Sequence, residues 1–392
     1  MGGVKSNDRD RASPFANPQP FPPTHFYMFQ SSFDLYSSPP QSSQSSPAST
    51  KQGFRIGLLH GAGYVGGECI RLLAAHPHAA LHAVTSRTFA DQPIGAAHPS
   101  LQGQVDHTFA APSDVNLEAL DALLVAAEHG QSMQIIPELM ASGFDGPIVD
   151  LSADFRFSDP AIYPEWFDVE HPALELLNEA VYGLPEWSGD IAGASLVANP
   201  GCYATGIALA LAPLAGRNIQ FTTHITALTG ASGSGASASA ATHFPDRDGN
   251  VRPYKVLAHQ HEPEILQTLG PHVDLNFVPA SGPWTRGIWG TAHIEWSPRK
   301  EGEPITLWYE NAYADAPCIR CSPDTLPSLQ PVVGTPFCDL GWKYEGTTLV
   351  VGFALDNLLK GAASQAIQNL NRTLDLPETA GLFPESALAP PS

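Results

Sequence analysis

Lysine is scarce in this chain: six in 392 residues, at positions 5, 51, 255, 300, 343 and 360. With 19 basic against 39 acidic side chains the formal charge is −20. That balance excludes a general affinity for nucleic acid or anionic membrane, so an anionic ligand has to be caught locally. Scarce lysine with abundant acid also fits a protein that works in high salt, where repulsion is screened. Activity and melting temperature that both peak in dilute buffer and decline with added potassium chloride would reject that idea. No apolar run approaches the roughly 18 residues a membrane span needs. The five cysteines (Cys69, Cys202, Cys318, Cys321 and Cys338) are odd in number and sparse. They exclude a disulfide framework and point to a reducing compartment, the cytosol by default. Internal repeats are absent.

What is present is a globular composition, 43% hydrophobic, and enough chain for a sizeable core in about two domains. Residues 1–52 are rich in Ser, Pro and Gln without helical or strand periodicity and read as a disordered leader. Its Asp8, Asp10 and Asp34 with few arginines suit a transit peptide poorly, and Met28 is an alternative start. From Phe54 short apolar strands alternate with helical stretches, the signature of an α/β, doubly wound parallel sheet. Strands are expected at 54–59, 80–85, 122–126, 147–151 and 196–198, with a first helix over 67–75. Alternating segments at 223–228 and 288–296 predict a second, more antiparallel α+β domain. The division expected is a Rossmann domain over 53–198, completed by a C-terminal helix within 356–384, and a catalytic and dimerisation domain over 199–355.

Asn199-Pro200-Gly201 is turn chemistry ahead of a long apolar run, so a helix should begin at Cys202. Unpaired backbone N–H groups and the positive dipole end there favour a thiolate, the state of a nucleophile. A small buried cysteine capping a core helix is the other reading of the same residues. Between the first strand and its helix, Gly61-Ala62-Gly63-Tyr64-Val65-Gly66 satisfies the glycine pattern that lets a backbone approach a pyrophosphate. About 20 residues on, where an enzyme using NAD carries an acid, stands Thr85-Ser86-Arg87. Hydroxyls and a guanidinium suit a 2′-phosphate, so NADP is the expected cofactor, through Gly61, Gly63, Tyr64, Val65, Gly66, Ser86 and Arg87. His259 and His261 stand two residues apart ahead of Glu262 and Glu264, and either histidine fits a general base or a structural role. Cys318 and Cys321 have the spacing of half a zinc site. No second pair completes it, so no metal is expected and the pair reads as core lining. Asp246-Arg247-Asp248-Gly249-Asn250 lacks the closing glutamate of a calcium loop and reads as a turn.

Taken together these blocks resemble the N-acetyl-gamma-glutamyl-phosphate reductase family, the NADP-dependent reductases of arginine biosynthesis. The likeness runs from about Phe54 to about Leu382. It rests on Gly63 to Glu68, His76-Pro77, Thr85 to Arg87, Val149 to Arg156, Val181 to Glu186, Asn199 to Thr205, His259 to Ile265, Arg286 to Ile288 and Asp356 to Ala362. The resemblance implies a Rossmann domain joined to one like that of glyceraldehyde-3-phosphate dehydrogenase, in a homo-oligomer, dimer or tetramer. It further implies Cys202 as nucleophile and His261 as acid and base. Arg156, Asn199, His259, Glu264 and Arg286 would bind a small acyl phosphate, and Asn357 would meet the nicotinamide amide. The chain departs from the family pattern at His60, which replaces the first loop glycine, at Ala127-Glu128, at Ala204 and at Val278-Pro279-Ala280. Some blocks, such as Thr85 to Ala90 and Gly235 to Ser239, look closer to the sister reductase acting on carrier-bound 2-aminoadipyl phosphate in lysine biosynthesis. A chain at −20 offers little attraction to an acidic carrier, which favours the free acetylated substrate. A catalytically silent NADP-binding protein is the reading from a different class; it would not need Cys202 and His261 together.

Overall fold

The computed structural model describes residues 53–217, 219–239, 242–295 and 305–383. The proposed leader lies outside them. A six-stranded sheet comes first: β1 (Phe54–Leu59), β2 (Ala79–Val84), β3 (Ala122–Val125), β4 (Ile148–Asp150), β5 (Val181–Tyr182) and β6 (Leu196–Ala198). Its order is β2-β1-β3-β4-β6-β5 and every pairing is parallel. All of β3, β4 and β6 is buried, as expected for parallel strands covered on both faces by helices.

The second sheet has seven strands: β7 (Phe221–Thr229), β8 (Arg252–Pro253), β9 (Val273–Ser281), β10 (Ile288–Glu295), β11 (Ile319–Pro323), β12 (Cys338–Glu345) and β13 (Thr348–Leu355). Its order is β11-β12-β13-β10-β7-β9-β8. Two pairings, β11 with β12 and β7 with β9, are parallel and the other four antiparallel. Along β7, buried and open positions alternate, so this sheet keeps one face for a core. That face is covered by the helix Cys202–Ala215, which is apolar on all sides and buried from Tyr203 to its end. Gly206 makes the close approach possible: a Cβ there would sit 2.6 Å from the Phe353 ring.

Two boundaries differ from expectation. The first helix starts at Tyr64 rather than Gly67, because Gly63 already has the extended backbone of an N-cap. The C-terminal helix opens with a π-turn over Leu359–Ala363 before Ser364–Thr373. All five cysteines are free, with Cys318 and Cys338 buried and Cys321 half-buried on β11. No helix among the described residues is long and apolar enough to cross a membrane.

Candidate active site

A cavity of about 900 Å³ opens where the ends of β1 and β6 face the second sheet. On one side lies the glycine turn after β1. His60 takes a left-handed backbone (φ 60°) without being glycine, and its N–H donates to Thr85 Oγ1 at 3.0 Å. Gly61 N–H donates to the Thr85 carbonyl at 2.9 Å. Gly66 is required for packing, since a Cβ would stand 2.3 Å from the Gly61 carbonyl oxygen. Gly63 meets nothing within 4 Å and borders the cavity, so the first N–H groups of the Tyr64–Ala74 helix are reachable by a phosphate. Tyr64, Val65, Ser86 and Arg87 also border it. The Arg87 guanidinium donates to Gln131 Oε1 at 3.3 Å, while Ser86 Oγ accepts the Phe89 N–H at 3.1 Å. An uncovered helix start beside a guanidinium fits a dinucleotide.

On the other side, β6 delivers Asn199-Pro200-Gly201 and the helix begins at Cys202, as the turn chemistry predicts. Glu264, fully buried, fixes this turn from behind. Its Oε1 accepts Gly201 N–H at 2.7 Å and Tyr182 O–H at 2.8 Å. Arg156 Nη1 pairs with Glu264 Oε2 at 3.3 Å, and its other nitrogens donate to the carbonyls of Asn199 at 2.8 Å and Leu151 at 3.1 Å. The Asn199 side chain donates to the Ala362 carbonyl at 3.2 Å and accepts from Asn369 at 2.9 Å, tying the turn to the π-turn. A Cβ on Gly361 of that π-turn would lie 2.7 Å from Cys202 Cβ. A Cβ on Gly201 would lie 2.5 Å from His261 Nε2, so the imidazole is seated against the residue before the thiol.

Cys202 keeps some surface open to the cavity, yet burial pushes its thiol up to about 11, against the opposing pull of Arg156. The resting group is therefore a thiol, not the thiolate expected from the helix start alone. Burial also drives His261 well below the usual imidazole range, helped by Arg156, so the resting ring is neutral. His259 is lowered to about 2 by burial and by His261. The His259 Nδ1 accepts the His261 N–H at 3.1 Å, which fixes its proton on Nε2.

Matched against protein families, residues 55–194 fit the semialdehyde dehydrogenase NAD binding domain and residues 202–357 the semialdehyde dehydrogenase dimerisation domain. The N-acetyl-gamma-glutamyl-phosphate reductase of Methanopyrus kandleri is 41% identical over 335 residues, 83% of this chain and 97% of the relative. That of Halorhodospira halophila is 41% identical over 339 residues, with the same coverage of 83% and 97%. The chain belongs to the N-acetyl-gamma-glutamyl-phosphate reductase family. The fold extends further: aspartate semialdehyde dehydrogenase II of Vibrio cholerae superposes with TM-score 0.64 at 15% identity, covering 83% of this chain and 99% of the other. Its counterpart from Candida albicans, solved with NADP, gives 0.58 at 14% identity, over 82% and 98%. Membership makes this a semialdehyde dehydrogenase fold with a site for a nicotinamide cofactor.

Within that family frame, the cavity gathers Cys202, His261, His259, Arg156, Asn199, Asn357 and the glycine loop, but not every residue singled out from sequence. Arg286 is elsewhere. It pairs with Glu68 at 2.5 Å and with Asp356 at 3.1 Å and does not border the cavity, so both carboxylates have spent its charge. Glu264 and Gly61 sit behind the wall rather than in it. Asn357 does border the cavity, held by Gly287 N–H on its Oδ1 at 2.6 Å and by Ser232 Oγ on its Nδ2 at 3.0 Å. The sequence reasoning passed over His129, Arg247, Arg252, Tyr254 and Lys255 as site residues, although all five line the cavity. The signal available was charge: in an acidic chain, the basic residues of 247–255 cluster in one short stretch.

Proposed function

We propose that this chain reduces N-acetyl-L-glutamyl 5-phosphate to N-acetyl-L-glutamate 5-semialdehyde with release of phosphate, using NADPH, in arginine biosynthesis. The observation that carries this reading is that Cys202 at a helix start and the His261 imidazole, seated against the preceding Gly201, border one cavity with the glycine turn. Neutral His261 accepts the Cys202 proton as sulfur attacks the acyl carbon. The carbon–oxygen bond to phosphate breaks, phosphate leaves and a thioester on Cys202 remains. N–H groups at the helix start face the oxygen that gains charge during attack. The glycine turn with Tyr64 and Val65 would hold a nicotinamide dinucleotide and Asn357 would meet its amide, and the bound group would supply the hydride that reduces the thioester. The imidazolium of His261 returns its proton as the carbon–sulfur bond breaks, which frees the aldehyde and restores the thiol.

Arg87 favours NADP over NAD, because a guanidinium and no acid stands where the ribose is expected. The chain divides into a cofactor domain over 53–198, closed by the C-terminal helix, and a catalytic domain over 199–355. The catalytic domain is assigned to the contact of a homo-oligomer, dimer or tetramer, and the protein to the cytosol.

The test is phosphate-dependent reduction of NADP, offering N-acetylglutamate semialdehyde and carrier-bound 2-aminoadipate semialdehyde side by side, with Cys202→Ser as control. Turnover of the free acetylated aldehyde should drop by at least about 10³-fold in the mutant. Turnover of the carrier-bound aldehyde alone would move the protein to lysine biosynthesis. Bound NADPH without turnover of either would leave a silent binder.

A further inference from the structure

The cavity reverses the charge of the chain. The chain has 19 basic and 39 acidic side chains, yet among the described residues five basic ones border the cavity (Arg87, Arg156, Arg247, Arg252 and Lys255) and one acidic one, Glu128. These cations differ in what already satisfies them. Arg156 has its nitrogens engaged by two carbonyls and Glu264. Arg87 belongs to the glycine-turn side, against Gln131. Arg247 is half-buried at the end of the short helix Phe244–Arg247 and has no carboxylate partner among the described residues. One of its nitrogens donates to the Gly282 carbonyl at 2.9 Å, which orients the fork and leaves the rest of its five donors unassigned. Lys255 is likewise without a carboxylate and reaches only Gln260 Oε1, at 2.5 Å.

The wall carrying these two charges is built rigidly. Tyr254 N–H donates to the Pro279 carbonyl at 3.1 Å and Leu257 N–H to the Phe277 carbonyl at 3.0 Å, pinning the stretch along β9. Between those bonds Lys255 (φ 43°) and Leu257 (φ 55°) hold left-handed backbone without being glycine. Such strain persists where surrounding bonds over-determine it, often at ligand clamps. Tyr254, Cys202 and Arg247 all line the one cavity. A half-buried guanidinium without a carboxylate partner among the described residues, bordering the same cavity as Cys202, is poised for an anion of the ligand.

We propose that Arg247, assisted by Lys255, is the specificity-determining anchor for the substrate carboxylate; for the substrate's anionic groups the family resemblance implies Arg156 and Arg286. The proposal rests on the reductase reading above. It requires the acyl carbon at Cys202 and the carboxylate at Arg247 to be ends of one ligand.

The experiment compares two aldehydes in phosphate-dependent reduction of NADP: N-acetylglutamate semialdehyde and 4-acetamidobutanal, which is the same molecule without its carboxylate. In Arg247→Gln, kcat/KM for the carboxylated aldehyde should fall about tenfold to a hundredfold, mainly through KM, while the value for 4-acetamidobutanal holds. Arg247→Lys should recover part of the difference, and Lys255→Gln should move the ratio the same way by less. Equal losses on both aldehydes, an unchanged ratio, or a rise confined to the KM for NADP would overturn the proposal. Should Arg247→Gln fold poorly, the ratio measured in Arg247→Lys and Lys255→Gln decides in its place. Wild-type protein inactive on both aldehydes would remove the reductase reading and the anchor together, whereas wild-type turnover with an unchanged ratio in the variants removes the anchor alone.

Discussion

The same local device occurs twice around the cavity, a parallel strand, a glycine turn and a helix start, and the two copies are finished in opposite ways. Neither helix has a side-chain cap, but after β1 the turn ends at Gly63 with open space beside it. After β6, the turn ends at Gly201 with His261, Arg156 and Glu264 packed on it and Gly361 pressed against Cys202. One helix start is left for a ligand to complete. The other has its turn packed from behind by the protein, which suits the proposed role of Cys202 as a nucleophile held in place before substrate arrives. The difference shows which half of the chemistry the polypeptide supplies itself.

The largest effect should come from removing the support behind the closed turn. Glu264→Ala leaves the Arg156 guanidinium buried without its carboxylate and Gly201 N–H without an acceptor, a loss expected at about 3–5 kcal/mol. Urea unfolding reads it directly, and a change under about 1 kcal/mol would mean that the turn does not depend on this carboxylate.

The next effect lies in acid. His259 is held neutral in the folded protein, lowered to about 2 by burial, against an ordinary value of 6.5. Below pH 6.5 the unfolded chain binds a proton that the folded chain refuses, so this contribution to stability is full above 6.5 and is lost as pH falls towards 2. Asp150 works in the opposite sense, since burial raises it to about 6 and its neutral form gains as pH drops. The clean readout is therefore a difference between proteins. The fall in melting temperature between pH 7 and pH 4 should be shallower in His259→Gln than in wild type, and parallel curves would place the imidazole's cost elsewhere.

Much of this was legible in the sequence where a local rule decides. Apolar alternation with glycine and proline punctuation located β1, β6 and the Cys202 helix to the residue. It missed the start of the first helix because Tyr64-Val65-Gly66-Gly67 has weak helical propensity and depends on the strand before it. At the site, the turn chemistry of 199–201 located Cys202, and the family resemblance implied the groups from distant segments that converge on it. The resemblance also implied Arg286 for substrate, and matched blocks carry no information about partners: Glu68 and Asp356 come from distant parts of the chain. Arg247 and Lys255 were hidden for the matching reason, being ordinary turn residues until β8 and β9 bring them to the wall. The thiol's state was open between a thiolate at a helix start and a small buried cysteine, and only the packed structure shows burial pushing the thiol up.

The smallest expected effect is the sharpest test of the contrast between the two turns. Gly63 has φ −78°, which any residue adopts, and an added Cβ meets nothing within 4 Å. Gly63→Ala should therefore leave the urea midpoint within about 0.5 kcal/mol of wild type. A methyl group there does face the space assigned to the cofactor, so the KM for NADP should rise while the KM for the aldehyde holds. At Gly201 the backbone is as permissive (φ −70°), but the methyl would collide with His261 Nε2 at 2.5 Å and Arg156 Nη1 at 2.8 Å. Gly201→Ala should accordingly lower kcat by displacing the imidazole from the thiol, with little change in cofactor affinity. If both substitutions moved the same parameter, the two helix starts would not be divided between ligand and nucleophile, and the division of labour drawn from their packing would fall.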